Sequence, residues 1–183
     1  MKKLKLEELG RISVNQFKNA DKIPVCILLD NVRSLHNVGS AFRTADAFLI
    51  EKIILTGITG KPPHREIEKT ALGATQSVDW SYVEDSKEAV EHLKKNGYTI
   101  VAVEQTTESI PLQKFSVHEN EKVCLVFGNE IRGVSEAVIA EADVALEIPQ
   151  HGTKHSLNIS VCLGIVVWEI FKKNSGSGVQ PSE

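Results

Sequence analysis

Short apolar runs alternate with amphipathic or polar segments along most of the chain. Residues 25–30 are apolar until the last position, which is typical of a strand buried on both faces. Further strands are predicted at 52–55, 78–83, 99–103, 122–127 and 144–148. Helices are predicted at 38–47, 66–72, 86–95, 135–141 and 156–173, with irregular connections at 57–65 and 104–120. This alternation predicts parallel βαβ units in a three-layer α/β domain.

The two ends of the chain depart from this pattern. Residues 1–22 combine lysines with spaced leucines and predict an amphipathic extension, either helical or only partly ordered. Residues 23–173 form the predicted domain, and 174–183 predict a flexible tail. The apolar stretch 157–171 is shorter than a membrane span and carries Asn158 and Glu169, so it predicts a buried or dimer-interface helix.

Composition narrows the class of protein. With 183 residues, 42% hydrophobic and 25% charged, the chain is typical of one folded domain. Its three cysteines are far apart and none forms a CxxC pair, which argues against a disulfide scaffold and a structural zinc site. The six histidines show no metal-ligand spacing, so no metal is predicted. The charged N-terminus does not resemble a signal peptide, which predicts a cytoplasmic location.

Charge is unevenly distributed. The net charge is -3, but residues 1–69 hold 12 Lys/Arg and 8 Asp/Glu, while residues 70–183 hold 9 and 16. A basic first third permits an anionic partner on one face. Ordinary scatter of surface charge explains the same numbers equally well.

Ligands of open parallel sheets bind beyond the carboxyl ends of the strands. The segments that follow four predicted strands begin at residues 31, 104, 128 and 149, and all are rich in Gly, Asn, Ser, Thr and charge. Strand-to-helix turns need such residues in any case, so composition alone identifies no site. Neither a Walker loop nor a GxGxxG fingerprint is present, which disfavours a conventional nucleotide-dependent oxidoreductase.

Three segments together carry a more specific signal. They are LDNVRSLHNVGSAFRTADAF (29–48), LVFGNEIRGVS (125–135) and IPQHGTKHSLNISVCLGIVVWEI (148–170). In order, spacing and strand context they resemble the three motifs of the SpoU (TrmH-like) RNA ribose 2′-O-methyltransferases of the SPOUT superfamily. The resemblance covers 24–173. One departure is Gln150, where the family commonly carries Met. No segment matches the separate N-terminal substrate-binding domain of many members, so RNA selection is expected to depend on the extension, the loops and a second subunit.

The resemblance implies a parallel α/β fold with a deep C-terminal trefoil knot, a homodimer and S-adenosylmethionine as cofactor. It places the cofactor among the loops that follow the strands. The implied cofactor-binding residues are Glu104, Gln105, Thr106, Gly128, Asn129, Ile148, Gln150 and Leu157. Backbone N–H and C=O groups of such loops suit an adenine edge and a carboxylate.

The resemblance also implies a catalytic group, which consists of Asn37, Arg43, Glu130, Ser156 and Asn158. The family's leading candidate for activating the ribose hydroxyl is Arg43. Because a guanidinium is normally fully protonated, we expect Arg43 to bind the phosphate beside the target ribose and to stabilise the developing oxyanion.

Each residue of this group also has a purely structural explanation. Asn37 could cap the helix that follows it, and Arg43 could be a solvated helix residue. Glu130 could cap the next helix, and Ser156 could cap the long C-terminal helix with Asn158 in its first turn.

Basic residues near the motifs are candidates for RNA contacts. Arg33, Arg43, Lys61 and Arg65 are predicted to bind RNA, and Arg132 could act similarly or pair with an acidic neighbour. For the loop that carries Lys61 and Arg65, plain solvation explains the charges as well.

The sequence therefore predicts an RNA ribose 2′-O-methyltransferase. Its substrate is expected to be tRNA, with rRNA as the second choice. The alternative is a non-catalytic RNA-binding or ribosome-assembly protein that keeps the fold, although such a protein would have less reason to retain the whole catalytic group.

Overall fold

The computed structural model describes residues 1–118 and 120–175. One seven-stranded sheet has the order β3-β2-β1-β6-β4-β7-β5, and every neighbouring pair is parallel. The strands are β1 (Ile23–Asp30), β2 (Ile50–Thr56), β3 (Asp79–Val83), β4 (Thr99–Val103), β5 (Ile110–Pro111), β6 (Val123–Phe127) and β7 (Val144–Glu147). The α/β class and the parallel sheet are confirmed.

Helices cover both faces of the sheet. They are α1 (Val14–Asn19), α2 (Leu35–Ala47), α3 (Arg65–Ala71), α4 (Ala74–Ser77), α5 (Ser86–Lys95), α6 (Glu136–Ile139) and α7 (Ile159–Ser175), with 3-10 turns at Leu6–Leu9 and Leu112–Lys114. Over the described residues, no helix combines the length and apolar character needed to cross a membrane.

The centre of the sheet is buried on both sides. In β1, Val25, Ile27 and Leu29 pack into the core on the α2 and α7 side, whereas Cys26 and Leu28 pack into the core on the α5 side. Successive side chains of a strand point to opposite faces, so an unbroken apolar run fills two cores at once. The three-layer arrangement predicted from the alternating pattern is therefore present.

Several local features differ from the sequence prediction. Helix α2 begins at Leu35 and not at residue 38, and α4 has no predicted counterpart. The connection predicted at 104–120 contains β5, whose Pro111 lies on the sheet edge, where a missing N–H is tolerated. The helix predicted from residue 156 begins at Ile159 and continues to Ser175. The N-terminal extension, predicted as helical or only partly ordered, does contain a helix, α1, whose Phe17 is buried in the core. Most of the predicted tail, residues 176–183, lies outside the described residues.

The sheet order brings four loops together. β1, β6, β4 and β7 are consecutive neighbours in the parallel sheet, so their carboxyl ends share one edge. The four polar segments singled out in the sequence follow these four strands. This edge is where a ligand site is expected in such a sheet.

Candidate functional site

A cavity of about 650 Å³ opens at the carboxyl edge of the sheet. It lies among the loops that follow β4, β6 and β7. All eight predicted cofactor-binding residues line it, together with Glu130 and Ser156 of the predicted catalytic group. Three segments that are distant in sequence therefore form one pocket.

The loop after β6 is a tight, internally bonded turn. The backbone groups of Asn129 and Gly133 exchange two hydrogen bonds, with N···O distances of 2.9 and 2.8 Å. A Cβ added at Gly128 would lie 2.1 Å from backbone atoms of Gly133 and Val134. Only glycine fits this position, because the two strands of the turn approach each other there.

The side chain of Asn129 fixes this turn from both sides. Its Oδ1 accepts hydrogen bonds from the backbone N–H of Ile131 (3.0 Å) and of Arg132 (3.2 Å). Its Nδ2 donates to the carbonyl of Asn31 at 2.8 Å, which ties the loop after β6 to the loop after β1.

Glu104 holds the loop after β4 against the same turn. Its Oε2 accepts from the backbone N–H of Val134 at 3.0 Å and occupies the space where Gly133 would carry a Cβ. Gly133 also has a φ of +69°, a conformation that favours glycine. Next along the chain, Gln105 donates from Nε2 to the carbonyl of His155 at 3.0 Å, which links this loop to the loop before α7.

Glu130 connects the cavity rim to the start of α2. Its carboxylate accepts hydrogen bonds from the backbone N–H groups of Arg33 and Ser34, both at 2.9 Å, and from Nδ2 of Asn37 at 3.0 Å. These donors lie at the N-terminus of α2, where unpaired N–H groups and the helix dipole favour an anion. Glu130 therefore caps α2 from the neighbouring loop after β6 and does not cap the helix that follows it.

Asn37 continues this chain of contacts to α7. It is buried, and its Oδ1 accepts from Nδ2 of Asn158 at 3.3 Å. The Oδ1 of Asn158 in turn accepts from the backbone N–H and the hydroxyl of Ser160, at 2.9 and 2.6 Å. Asn158 thus caps α7, and Ser34 caps α2 by accepting from the N–H of Asn37. The capping roles suggested for Ser156 and Asn37 are wrong.

These hydrogen bonds control the ionisation of Glu130. Partial burial by itself raises the pKa of the carboxyl, but the N–H donors of Arg33 and Ser34 and the Asn37 amide outweigh it. The net pKa lies below the usual glutamate range. The group is an anion at neutral pH and a weak base.

The charges around the cavity are mainly negative. Glu104, Glu130 and Glu147 line it, against the single guanidinium of Arg132. The cavity also contains the thiol of Cys162. Burial, with the Glu104 carboxylate nearby, raises the pKa of this thiol to about 11, so it is protonated at neutral pH and a poor nucleophile.

The remaining predicted residues do not lie at the cavity. Arg43 is exposed on α2, six residues after Asn37, which places it about 120° around the helix from that amide. Lys61 and Arg65 are exposed near the start of α3, and the ammonium of Lys61 lies 3.9 Å from the centre of the Tyr82 ring. Arg33 adjoins the site only through its backbone N–H.

Sequence reasoning missed Asp30, which is fully buried at the end of β1. Its carboxylate accepts from the hydroxyl of Ser86 (2.6 Å), the amide of Asn31 (2.7 Å) and the backbone N–H of Ser135 (2.8 Å). It therefore helps to fix the end of the loop after β6. The sequence signal that could have identified Asp30 is its position as a carboxylate at the end of an apolar run.

Comparison with known proteins gives consistent matches. The profile of the SpoU rRNA Methylase family matches residues 24–168. A Staphylococcus saprophyticus protein named for the TrmH family of tRNA/rRNA methyltransferases is 30% identical over 165 residues, which make up 90% of this chain and 65% of that protein. The tRNA (guanosine(18)-2′-O)-methyltransferase of Borreliella burgdorferi is 26% identical over 178 residues, 97% of this chain and 76% of that enzyme.

A solved structure has the same fold. The AdoMet-bound rRNA methyltransferase from Sinorhizobium meliloti superposes with a TM-score of 0.75 at 26% identity, over 84% of this chain and 58% of that one. This chain is therefore shorter than each of the three proteins compared. Because the family profile matches well over half of its 183 residues, the chain belongs to the SpoU rRNA methylase family.

Proposed function

We propose that this protein transfers a methyl group from S-adenosylmethionine to a ribose 2′-hydroxyl of RNA, with tRNA as the preferred class and rRNA as the second. The observation that carries the proposal is the cavity itself, which is lined by predicted residues of the second and third motifs and of the loop after β4. The first motif reaches its rim through the hydrogen bond between Asn37 and Glu130. The Borreliella relative is named for ribose methylation of tRNA, and the Sinorhizobium neighbour holds AdoMet.

The residues of the cavity fit this cofactor. Its volume of about 650 Å³ is within the range of small-molecule sites. Apolar side chains such as Ile148 and Leu157 suit an adenine ring. The excess of carboxylates over guanidinium groups suits a positively charged sulfonium. When bound, the cofactor supplies a methyl group activated by that sulfonium charge.

The chain contributes mainly positioning and charge stabilisation. The 2′-oxygen must lie in line with the methyl carbon and the departing sulfur. Because α2 directs Arg43 away from the cavity of its own chain, Arg43 acts from the second copy in a homodimer. There it binds the phosphate beside the target ribose and stabilises the negative charge that develops on the 2′-oxygen, while the proton passes to solvent. Ser156, exposed at the cavity mouth, and Asn158 hydrogen-bond the ribose.

Glu130 and Asn37 hold this arrangement in place. Glu130 has a lowered pKa and already accepts three hydrogen bonds, so it is a poor proton acceptor. It acts as a positioning residue that fixes the α2 N-terminus beside the cavity, and Asn37 extends that connection to Asn158.

The active species is a homodimer that works in the cytoplasm. Three residues on one side of α7 support the dimer, because they form an exposed apolar stripe: Val161, Ile165 and Trp168. Their spacing of three or four residues places them on one helix face. A second copy of this chain would cover that face and bring further basic residues toward the RNA.

Residues 23–173 are the catalytic domain, with a deep trefoil knot near the C-terminus, and residues 1–22 extend the RNA-binding surface. The knot is supported by the path after β7, from which the chain returns across the sheet to pack α7 beside α2. The contact from Gln105 to the carbonyl of His155 holds the two loops that would cross.

The proposal is tested by calorimetric titration of S-adenosylmethionine and by transfer of labelled methyl groups to unmodified tRNA and, separately, rRNA. We expect cofactor binding and label in tRNA. Arg43→Ala should bind the cofactor as the native chain does but lose transfer by a factor on the order of 10²–10³. Arg43→Lys should retain only part of the native methyl transfer, because lysine lacks the bidentate hydrogen-bonding geometry of arginine.

The matched control is Leu72→Asn, an exposed position at the end of α3. Cofactor binding without transfer to either RNA would contradict both substrate classes. Absence of both cofactor binding and transfer would favour the non-catalytic RNA binder.

A further inference from the structure

The loop after β6 holds an apolar side chain in solvent at the cavity rim. Ile131 is 77% exposed, although it lines the cavity edge together with Arg132. It belongs to neither hydrophobic core of the described residues. A large aliphatic side chain in this position has no evident structural role.

Hydrogen bonds within the turn hold the backbone around Ile131. Both Ile131 and Arg132 donate their backbone N–H groups to the Asn129 side chain. The two hydrogen bonds between Asn129 and Gly133 close the base of the turn. Because the backbone is already ordered, burying Ile131 against a ligand would cost little conformational entropy.

A second exposed aliphatic residue lies on the adjoining loop. The Asn31 side chain accepts from the backbone N–H of Ile58 at 3.2 Å, while the Asn31 carbonyl accepts from Asn129. Ile58 is 66% exposed. We give the name Asn31 surface to the region formed by the turn that carries Ile131 and the loop that carries Ile58. It consists of Ile58, Lys61, Ile131, Arg33 and Arg132.

We propose that the Asn31 surface binds RNA around the reacting ribose, and that Ile131 packs against the nucleobase which that ribose carries. This rests on the proposed function. A ribose whose 2′-oxygen reaches the cavity must carry its base past the rim, where Ile131 lies. The flat face of an unstacked base is apolar, and the cations beside it match the flanking phosphates.

The composition of this surface favours RNA over a second copy of the chain. With its two aliphatic residues it carries three cations, Arg33, Lys61 and Arg132. The carboxylate of Glu130, the acidic group of the turn that carries Ile131, is already held by the α2 N-terminus. The α7 stripe, by contrast, is continuous and uncharged, as an interface between protein subunits requires.

The test measures binding of a fluorescent, unmodified tRNA transcript to the full chain by anisotropy. Ile131→Asn should raise the Kd for RNA about tenfold, as expected for a lost base contact. Ile131→Leu and the control Leu72→Asn should bind within about twofold of the native chain. Calorimetry should show the same cofactor Kd for all of them, and sedimentation the same oligomeric state.

Salt dependence separates the apolar contact from the charges. Arg132→Gln should reduce the slope of log K against log salt by about one, because one phosphate contact is lost. Ile131→Asn should leave that slope unchanged. A changed slope for Ile131→Asn would show that the variant disturbs the phosphate contacts instead.

The most direct test of the base contact uses the nucleotide that carries the label in the methyl-transfer experiment. An abasic residue at that nucleotide should weaken binding to the native chain and remove the penalty of Ile131→Asn. A penalty that remains undiminished would overturn the assignment of the base.

Other outcomes separate this inference from the proposed function. Normal RNA binding by Ile131→Asn would overturn the inference and leave the function intact. Dissociation of this variant into monomers would mark the surface as a subunit interface and also overturn it. If the native chain binds RNA but transfers no methyl group, the proposed function is contradicted. The anisotropy comparison between the native chain and Ile131→Asn still decides the role of Ile131. Absence of RNA binding would overturn both.

Discussion

Glu130 shows how one side chain connects distant parts of the site. Its carboxylate joins the loop after β6 to backbone groups 96 and 97 residues earlier in the chain. Removal of the charge should therefore affect the geometry of the whole rim. An exposed carboxylate without such donors should have little effect.

We predict that Glu130→Gln lowers stability by about 1–2 kcal/mol at pH 7, because the NH₂ group of Gln cannot accept from a backbone N–H. In a chain of this size that corresponds to a fall in Tm of roughly 2–8 °C. Differential scanning calorimetry measures it, with Glu84→Gln as the control, since no hydrogen bond to Glu84 is found among the described residues.

The effect should depend on pH in one direction. A carboxyl whose pKa is lowered by folding stabilises the protein above its unfolded pKa of about 4.3, and this contribution is lost as the pH falls through the folded value. The Tm difference between the native chain and Glu130→Gln should therefore shrink as the pH falls below about 4. A difference that is constant with pH would contradict the charged role.

Among single residues, the sequence motifs identified most of the site but not the hydrogen bonds that connect its members. Asn37, Glu130 and Asn158 do form one connected chain in the structure. Asp30 was missed because its partners Ser86 and Ser135 lie 56 and 105 residues away, and no local spacing reveals such contacts. Arg43 was grouped with the others by motif, yet the helix turns it away from the cavity.

Among the elements, α2 and α3 pack unusually closely at a glycine. A Cβ added at Gly39 would lie 2.1 Å from Oγ1 of Thr70 and 2.2 Å from the carbonyl of Ile67. Thr70 also donates to the carbonyl of His36, which holds α3 against the first turn of α2. Since that turn carries Asn37, the packing of these helices positions the site.

We predict that Gly39→Ala destabilises the chain by about 1–3 kcal/mol, because the backbone carbonyl of Ile67 cannot move away without shifting α3. Thermal unfolding measures the loss. Gly152→Ala is the matched control, since its added Cβ meets nothing within 4 Å and its Tm should stay within about 1 °C of the native value. Equal Tm values for the two variants would refute the close approach.

Element prediction succeeded where the hydrophobic period was strong. Strand β4 was predicted at its observed bounds, and β1 within two residues at its start. Prediction failed for β5, because two residues with one proline carry no period and pair only through the edge of β7. It also placed the start of α7 three residues early, because both Ser156 and Asn158 are good capping residues and only the tertiary contact to Asn37 distinguishes them.

For the whole molecule, the proposed dimer gives a direct prediction. Trp168 is 52% exposed on α7 and packs beside Phe48 and Phe171, with ring centres 5.9 Å apart in each case. Trp168→Glu places a charge in this apolar stripe and should convert a dimer into monomers without loss of helical signal in circular dichroism.

Sedimentation equilibrium checks this prediction, with Leu72→Glu as the control, since Leu72 is exposed outside α7. The control should remain dimeric. A native chain that is monomeric at micromolar concentration, or a Trp168→Glu variant that stays dimeric, would contradict the α7 interface.

The central claim concerns the atom that receives the methyl group. RNA labelled by the native chain with S-adenosylmethionine is hydrolysed in alkali, and the labelled products are separated by size. Alkaline cleavage needs a free 2′-hydroxyl, so ribose methylation should leave all label in an alkali-resistant dinucleotide. Label in mononucleotides would place the methyl group on a base and contradict ribose 2′-O-methylation.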